Sequence, residues 1–196
     1  MARMAAPALV LASGSPRRQA LLQRLGLEFE VRAAEVDESP IPGEAPGDYA
    51  LRLACEKAAA VARTIPAGLV VGADTIVVDG GEVLGKPADA AEARRTLERL
   101  RGHRHLVATA VAVVDARSGE TASAVEWTAV WMRPYGDEEI AAYVATGDAQ
   151  DKAGAYAIQH PAFRPVAALQ GSETNVIGLP LARVRWLLAR VGRPVA

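Results

Sequence analysis

A strand, a turn and a helix follow one another near the amino end of the chain. The apolar run Leu9 to Ala12 is typical of a buried strand, and Pro16 to Leu25 is typical of a helix that stops at Gly26. Proline fits the first turn of a helix, because its missing N–H would be unpaired there in any case. This pattern predicts an α/β fold with Ser13 to Arg18 at the junction between strand and helix.

The junction Ser13 to Arg18 has the composition of an anion-binding turn. We expect Ser15 to cap the helix, so that free backbone donors and the positive end of the helix dipole face outward. Arg17 and Arg18 add two planar, permanently charged groups, which bind phosphate oxygens in pairs. The same residues also fit a capped surface helix with two solvated arginines.

Strand and helix signals alternate along the chain, which favours a mixed twisted sheet flanked by helices. A chain of 196 residues is large enough for one sizeable core, so we expect a single domain over residues 1–196, with room for two lobes around a central cleft. Asp37 to Gly47, rich in proline and glycine, is expected to be a loop, and Asp79-Gly80-Gly81 is expected to be a hairpin turn. The expected strands are Phe29–Val31, Leu69–Val71, Ile76–Val78, Leu106–Val114 and Val125–Met132, and the expected helices are Ala90–Arg101, Asp137–Ala145, Pro180–Val191 and a long helix that Asp48 opens.

The charge balance argues against a polyanionic partner. The chain has 22 basic and 23 acidic residues, so no overall field attracts a nucleic-acid backbone or an anionic membrane. The single cysteine, Cys55, excludes a disulfide within the chain and favours a reducing compartment. Met1 to Pro7 lacks the apolar core of a signal peptide, and no apolar stretch reaches the roughly 18 to 20 residues of a membrane helix. We therefore expect a cytoplasmic protein whose main partner is neither polymeric nucleic acid nor a membrane.

Asp74 interrupts an apolar strand pattern, with Gly72 and Ala73 leaving space beside it. A fold keeps a buried carboxylate only with a cation, a cluster of donors or a catalytic task, because an unpaired buried charge is costly. Aspartate can hold a divalent metal or take a proton from water, and the adjacent Thr75 hydroxyl can hydrogen-bond a ligand. An aspartate at a bend, bonded to neighbouring N–H groups, is the structural alternative.

Other polar residues also have two interpretations. Lys57 and Lys86 can bind phosphate or be solvated surface lysines, and Glu38 can be a second carboxylate beside a metal or a solvated loop residue. Asp151 to Gln159 ends in an amide able to read a base edge, whereas its opposite charges fit an ion pair that closes a loop. Gly178 to Pro180 is expected to be structural. The sequence has no glycine-lysine phosphate loop, dinucleotide fingerprint, HExxH or GxSxG pattern.

Five segments, in this order, resemble the Maf family of nucleoside triphosphate pyrophosphatases. Their order and spacing match across nearly the whole chain, which is far more specific than any one segment. The segments are Leu11–Arg18, Gly72–Thr75, Gly85–Pro87, Asp151–Tyr156 and Gly178–Leu181.

The resemblance implies a fold like that of the inosine triphosphate pyrophosphatases, a homodimer, and a requirement for Mg²⁺ or Mn²⁺. It also implies release of pyrophosphate from a nucleoside triphosphate to leave the monophosphate, and we expect this reaction to proceed by metal-assisted attack of water on the α-phosphorus. The segments Asp151–Tyr156 and Ile158–Gln159 are similar to the branch of the family that acts on dTTP and UTP. His160 and Pro161 depart from the glycine-rich turn usual in relatives.

The resemblance also implies roles for single residues. Asp74 matches the family's proton acceptor, and Glu38 matches an acidic residue near the metal, where Asp74 would also be a ligand. Positions tied to substrate choice are matched by Arg17, Thr75 and Gln159, and polar positions that line the pocket by Ser13, Arg18, Lys57 and Lys86.

A non-catalytic, nucleotide-binding regulator of cell division is the alternative function, because the name of the family is attached to inhibition of septum formation. Such a protein would keep the phosphate-binding turn without needing Asp74, and it would bind nucleotides without turnover.

Overall fold

The computed structural model describes residues 9–193, and Met1 to Pro7, where the sequence predicts no signal peptide, lie outside this range. The strands are β1 (Leu9–Leu11), β2 (Glu30–Val31), β3 (Leu69–Asp79), β4 (Glu82–Leu84), β5 (Arg104–Asp115), β6 (Thr121–Met132) and β7 (Val166–Gln170). The helices are α1 (Pro16–Gln23), α2 (Pro46–Ala62), α3 (Ala90–Leu100), α4 (Asp137–Ala145), α5 (Glu173–Ile177) and α6 (Leu181–Arg190), with a 3₁₀ turn at Ala153–Ala155.

The seven strands of the described residues form one mixed sheet. They are hydrogen-bonded in the order β2-β1-β3-β5-β6-β7, and β4 pairs with β3. β1 is parallel to β2 and β3, whereas β4 is antiparallel to β3 and β7 is antiparallel to β6. The expected mixed α/β sheet flanked by helices is therefore confirmed.

The parallel pairing of β1 and β3 aligns the two strands that carry the predicted site. Leu11 lies opposite Val71, and the Ala12 N–H donates to the Val71 carbonyl oxygen at 2.8 Å. Both strands are apolar and buried at this point, as parallel strands covered on both faces usually are. The register brings Ser13 next to the stretch of β3 that carries Asp74.

The chain divides into two compact units. Within residues 9–193, the first contains residues 9–74, Thr109–Glu126 and residues 178–193, and the second contains Thr75–Ala108 and Trp127–Ile177. The core of the second unit includes stacked aromatic rings, with the Tyr143 and Phe163 centroids 4.5 Å apart.

The structure corrects several expectations about single elements. Gly72 to Thr75 do not interrupt the strand, because β3 runs without a break from Leu69 to Asp79. The long helix α2 begins at Pro46 rather than at Asp48. β7 and α5 have no counterpart in the sequence analysis. In the part of the chain that the structure describes, no helix is long and apolar enough to cross a membrane.

Candidate active site

Asp74 lies in the middle of β3, two residues after a glycine that lets α2 approach the strand closely. A Cβ atom at Gly72 would lie 2.3 Å from the Ala54 carbonyl oxygen and 2.7 Å from the Ala58 nitrogen. Only glycine fits there without displacing the helix backbone. Lys57 belongs to the turn of α2 that makes this contact, and its side chain reaches the Asp74 carboxylate.

Lys57 bridges two carboxylates. Its Nζ lies 2.6 Å from Asp74 Oδ1 and 2.6 Å from Glu38 Oε1. Lys57 and Asp74 are each 8% exposed, whereas the side chain of Glu38 is 48% exposed. Asp74 is thus paired with an ammonium group and does not sit at a bend, and the structure brings three predicted site residues into contact.

The loop that carries Glu38 is attached to α2 by Tyr49. The Tyr49 hydroxyl donates to the main-chain carbonyl oxygen of Glu38 at 2.8 Å. Burial, followed by the negative charges of Asp74 and Glu38, raises the pKa of Tyr49. The hydroxyl therefore stays protonated and remains a donor at neutral pH.

Arg52, one turn further along α2, holds the same loop at two more points. Its Nε and Nη2 donate to the two carboxylate oxygens of Glu44 at 2.8 and 2.9 Å, and Nη2 also donates to the Ser39 carbonyl oxygen at 3.1 Å. Paired contacts of this kind fix orientation as well as distance. Side chains of α2 therefore hold this loop at Glu38, Ser39 and Glu44.

Ser13 and Arg18 form the second part of the site. Arg18 donates through Nη1 to Ser13 Oγ at 3.3 Å and through Nε to the Gly178 carbonyl oxygen at 2.9 Å. Ser15 stands at the N-cap position of α1 but makes no side-chain cap bond, so the expected cap is wrong. Instead, the Ser15 N–H donates to Ser13 Oγ at 3.3 Å, and Ser13 organises the turn.

The charges near Arg18 oppose one another. Burial lowers the pKa of Arg18, the Asp74 carboxylate acts in the opposite direction, and the half-buried Arg17 beside it lowers the pKa further. The Arg18 guanidinium stays charged at neutral pH. Both arginines stand at the amino end of α1, where the helix dipole also favours an anion.

Thr75 and Lys86 belong to the second unit. Thr75 is half-buried in β3, and Lys86 is exposed just after β4. The Gly154 N–H donates to the Gly85 carbonyl oxygen at 3.1 Å. Gly154 has a φ of +68°, and a Cβ there would lie 2.8 Å from a Val77 methyl group, so this position needs glycine on both counts. Two of the five resembling segments are therefore in direct contact.

Gln159 is exposed at the edge of a pocket of ≈ 460 Å³ in the second unit. This pocket is lined by residues 158–161, Arg164 and residues 166–169. The amide of Gln159 is therefore accessible to a ligand, as reading a base edge requires.

The charges of the segment that begins at Asp151 have a structural role. Lys152 is buried, and its Nζ lies 2.8 Å from Asp148 Oδ1 and 2.6 Å from Asp151 Oδ1. These contacts close the turn after α4, so the structural interpretation of this ion pair is confirmed.

The predicted donors for a metal are Asp74 and Glu38. Across residues 9–193, no group of three or more His, Cys, Asp or Glu side chains could hold a metal ion. The two carboxylates nevertheless converge on one point, the Lys57 Nζ. Mg²⁺ commonly uses one or two carboxylates and completes its shell with water and substrate phosphates. The residues therefore fit a metal that is shared with a triphosphate.

Comparison with known proteins decides the family. The profile described as Maf-like protein matches residues 8–191. The chain belongs to the Maf family. A dTTP/UTP pyrophosphatase of Anaeromyxobacter dehalogenans is 54% identical over 192 residues, which cover 97% of each protein. A protein of the same name from Geobacter sulfurreducens is 54% identical over 94% of this chain and 96% of its own length. The solved structure of the Staphylococcus aureus Ham1 protein is 15% identical, with a TM-score of 0.46, over 66% of this chain and 74% of its own.

In this member of the Maf family, the roles of three residues that shape the site were not predicted from the sequence. Tyr49 and Arg52 are three positions apart in α2 and face the proline-rich loop, but a tyrosine and an arginine at such spacing are common on helix surfaces. Gly178 contributes a carbonyl oxygen, which no side-chain pattern can reveal.

Proposed function

We propose that the chain hydrolyses dTTP and UTP to the nucleoside monophosphate and pyrophosphate. Two relatives that are 54% identical over nearly their whole length bear the name dTTP/UTP pyrophosphatase. The observation that carries the proposal is the buried Asp74 carboxylate, held by a lysine that also contacts Glu38. A buried carboxylate within a cluster of phosphate-binding side chains supports hydrolysis more directly than nucleotide binding alone.

In this proposal, Asp74 takes the proton from the attacking water. The water oxygen bonds to the α-phosphorus, the bond between that phosphorus and the bridging oxygen breaks, and the electron pair leaves with the pyrophosphate. A positioned general base contributes about 10² to 10⁴ in rate. Asp74 stands in the middle of the buried strand β3, which holds its main chain in place, as such a base needs.

The basic residues bind the triphosphate, and they stabilise the negative charge that develops on the leaving pyrophosphate. Arg18 is held in advance by Ser13 and Gly178, so it reaches an anion without reorganising. Arg17, Lys57 and Lys86 would add further positive charge.

Asp74 and Glu38 would hold the Mg²⁺ or Mn²⁺ ion. When bound, the ion neutralises phosphate charge and polarises a phosphoryl oxygen.

Thr75 and Gln159 are proposed to select the base, and Arg17 to contribute to substrate choice. A site that hydrogen-bonds its substrate rejects an analogue without the matching groups more strongly than apolar contact does. The accessible amide of Gln159 supports this role.

The test is release of pyrophosphate from a panel of dTTP, UTP, CTP and dGTP, with Mg²⁺ or Mn²⁺. We expect dTTP and UTP to yield the monophosphate and pyrophosphate in equal amounts. Binding of these nucleotides without turnover would overturn the proposal in favour of a non-catalytic regulator.

We also propose a homodimer in the cytoplasm. The single cysteine is compatible with a reducing compartment. Light scattering after size exclusion tests the assembly.

A further inference from the structure

The Lys57 ammonium group occupies the point at which the Asp74 and Glu38 oxygens converge. Both oxygens lie 2.6 Å from Nζ. A divalent cation bound to the same two oxygens needs the same space, because Mg²⁺ takes carboxylate oxygens at about 2.0 to 2.1 Å. The ammonium group and the metal therefore exclude each other.

The main chain of Lys57 belongs to α2, which packs closely against β3 at Gly72. We therefore expect the lysine side chain, rather than the helix, to move when the carboxylates are released. That movement would leave the buried Asp74 without its cation, which is costly unless another cation takes its place.

We propose that Lys57 holds the metal position in the nucleotide-free protein and gives it up when a triphosphate binds. The inference rests on the proposed function. The ammonium group exchanges two carboxylate partners for phosphate oxygens, and the carboxylates exchange the ammonium group for the metal. Each charge keeps a partner throughout the exchange. Metal and nucleotide binding are therefore coupled, and each strengthens the other by the same factor.

The test is a titration of the whole protein with Mn²⁺ alone. The electron paramagnetic resonance signal of free Mn²⁺ reports how much of the metal remains unbound at each step. We expect Lys57→Met to bind Mn²⁺ on the order of tenfold more tightly than the unsubstituted protein. Lys86→Met is the matched control, since it removes one exposed positive charge from the proposed site, and it should change the affinity little. Equal affinity of Lys57→Met and the unsubstituted protein, or an equal gain in Lys86→Met, would overturn the proposal.

A second measurement needs no folded Lys57→Met variant. The ammonium group of Lys57 is followed in the unsubstituted protein by ¹⁵N NMR, and its signal is assigned with Lys57→Arg. We expect this signal to shift when Mg²⁺ and α,β-methylene-UTP are added together. A signal that is unchanged with both bound would show that Lys57 stays on its carboxylates, which contradicts the exchange.

The outcomes separate this inference from the proposed function. The Mn²⁺ titration contains no nucleotide, so an absence of pyrophosphate release would refute hydrolysis without altering the titration. Normal hydrolysis together with unchanged Mn²⁺ affinity in Lys57→Met would refute only the exchange.

Discussion

At the scale of single residues, the charge on Asp74 is the feature with the largest expected effect on activity. Asp74→Asn keeps the shape of the side chain but removes the general base, so we expect kcat for dTTP to fall by about 10² to 10⁴. Steady-state release of pyrophosphate from dTTP measures this fall in kcat. Asp79→Asn is a matched control in the same strand, because Asp79 pairs with Arg99 and has no role in the proposed reaction. Wild-type turnover in Asp74→Asn would contradict the mechanism.

His105 is a second buried titratable residue, with a role in stability rather than in the proposed reaction. It is 2% exposed, its Nε2 lies 2.8 Å from the Tyr156 hydroxyl oxygen, and its Nδ1 has no hydrogen-bond partner within the described residues. Burial lowers the pKa of His105 to about 4, from an ordinary value of 6.5. The folded protein therefore resists protonation of this ring.

The pKa of His105 predicts how stability depends on pH. Between pH 6.5 and about 4 the unfolded chain binds a proton that the folded chain does not. The stability contributed by neutral His105 is therefore complete above pH 6.5 and is lost as the pH falls toward 4, by roughly 2 to 4 kcal/mol in all. Urea unfolding at several pH values should show that His105→Phe loses less stability between pH 6.5 and about 4 than the unsubstituted protein does. The exposed His103 provides the control. If His103→Phe reduced this loss of stability equally, the assignment to His105 would be contradicted.

The sequence predicted that Asp74 needs a partner, but it could not name that partner. An acidic residue within an apolar strand indicates a compensating cation on general grounds. The choice of Lys57 from the 22 basic residues depends on how closely α2 packs against β3, which becomes clear only when Gly72 is placed beside Ala54. The attachment of Glu38 to α2 depends on main-chain carbonyl groups and has no sequence signal.

At the scale of secondary-structure elements, the contact between α2 and β3 controls the site. A methyl group at Gly72 would meet the helix backbone at 2.3 Å, and backbone atoms cannot move aside as a flexible side chain does. We therefore expect Gly72→Ala to push α2 away from β3, to destabilise the protein by about 1 to 3 kcal/mol, and to reduce activity by separating Lys57 from Asp74.

Chemical denaturation and pyrophosphate release measure the two effects of Gly72→Ala. Gly14→Ala is the control for the loss of stability alone, because a Cβ at Gly14 would meet only the Ala33 side chain, at 3.7 Å. A Gly72→Ala protein with unchanged stability would show that the close approach is not required.

Elements with a strong apolar pattern were predicted well, and short elements at the edge of the sheet were not. The hairpin between β3 and β4 followed from Asp79-Gly80-Gly81, and both glycines have the positive φ that a two-residue turn needs. Among the described strands, β7 pairs only with β6, and it is largely exposed, so it has no clear apolar alternation. α5 has five residues, which is too short for a helical period to appear.

At the scale of the whole molecule, the proposed function predicts that a triphosphate stabilises the fold. A ligand at about 100 times its Kd adds about 2.7 kcal/mol, and each kcal/mol raises the Tm of a protein of this size by about 2 to 4 °C. We expect Mg²⁺ with α,β-methylene-UTP to raise the Tm by about 5 to 10 °C in a thermal melt. Uridine at the same concentration lacks the phosphates and should have little effect. Equal shifts with both ligands would contradict a site built around phosphate.

The bond between Arg18 and the Gly178 carbonyl oxygen joins positions 160 residues apart. During translation, the arginine emerges from the ribosome long before the glycine has been added. A nascent chain therefore cannot complete this proposed anion-binding turn until Gly178 has been synthesised. Competence to capture a triphosphate is thereby delayed until both segments have left the ribosome.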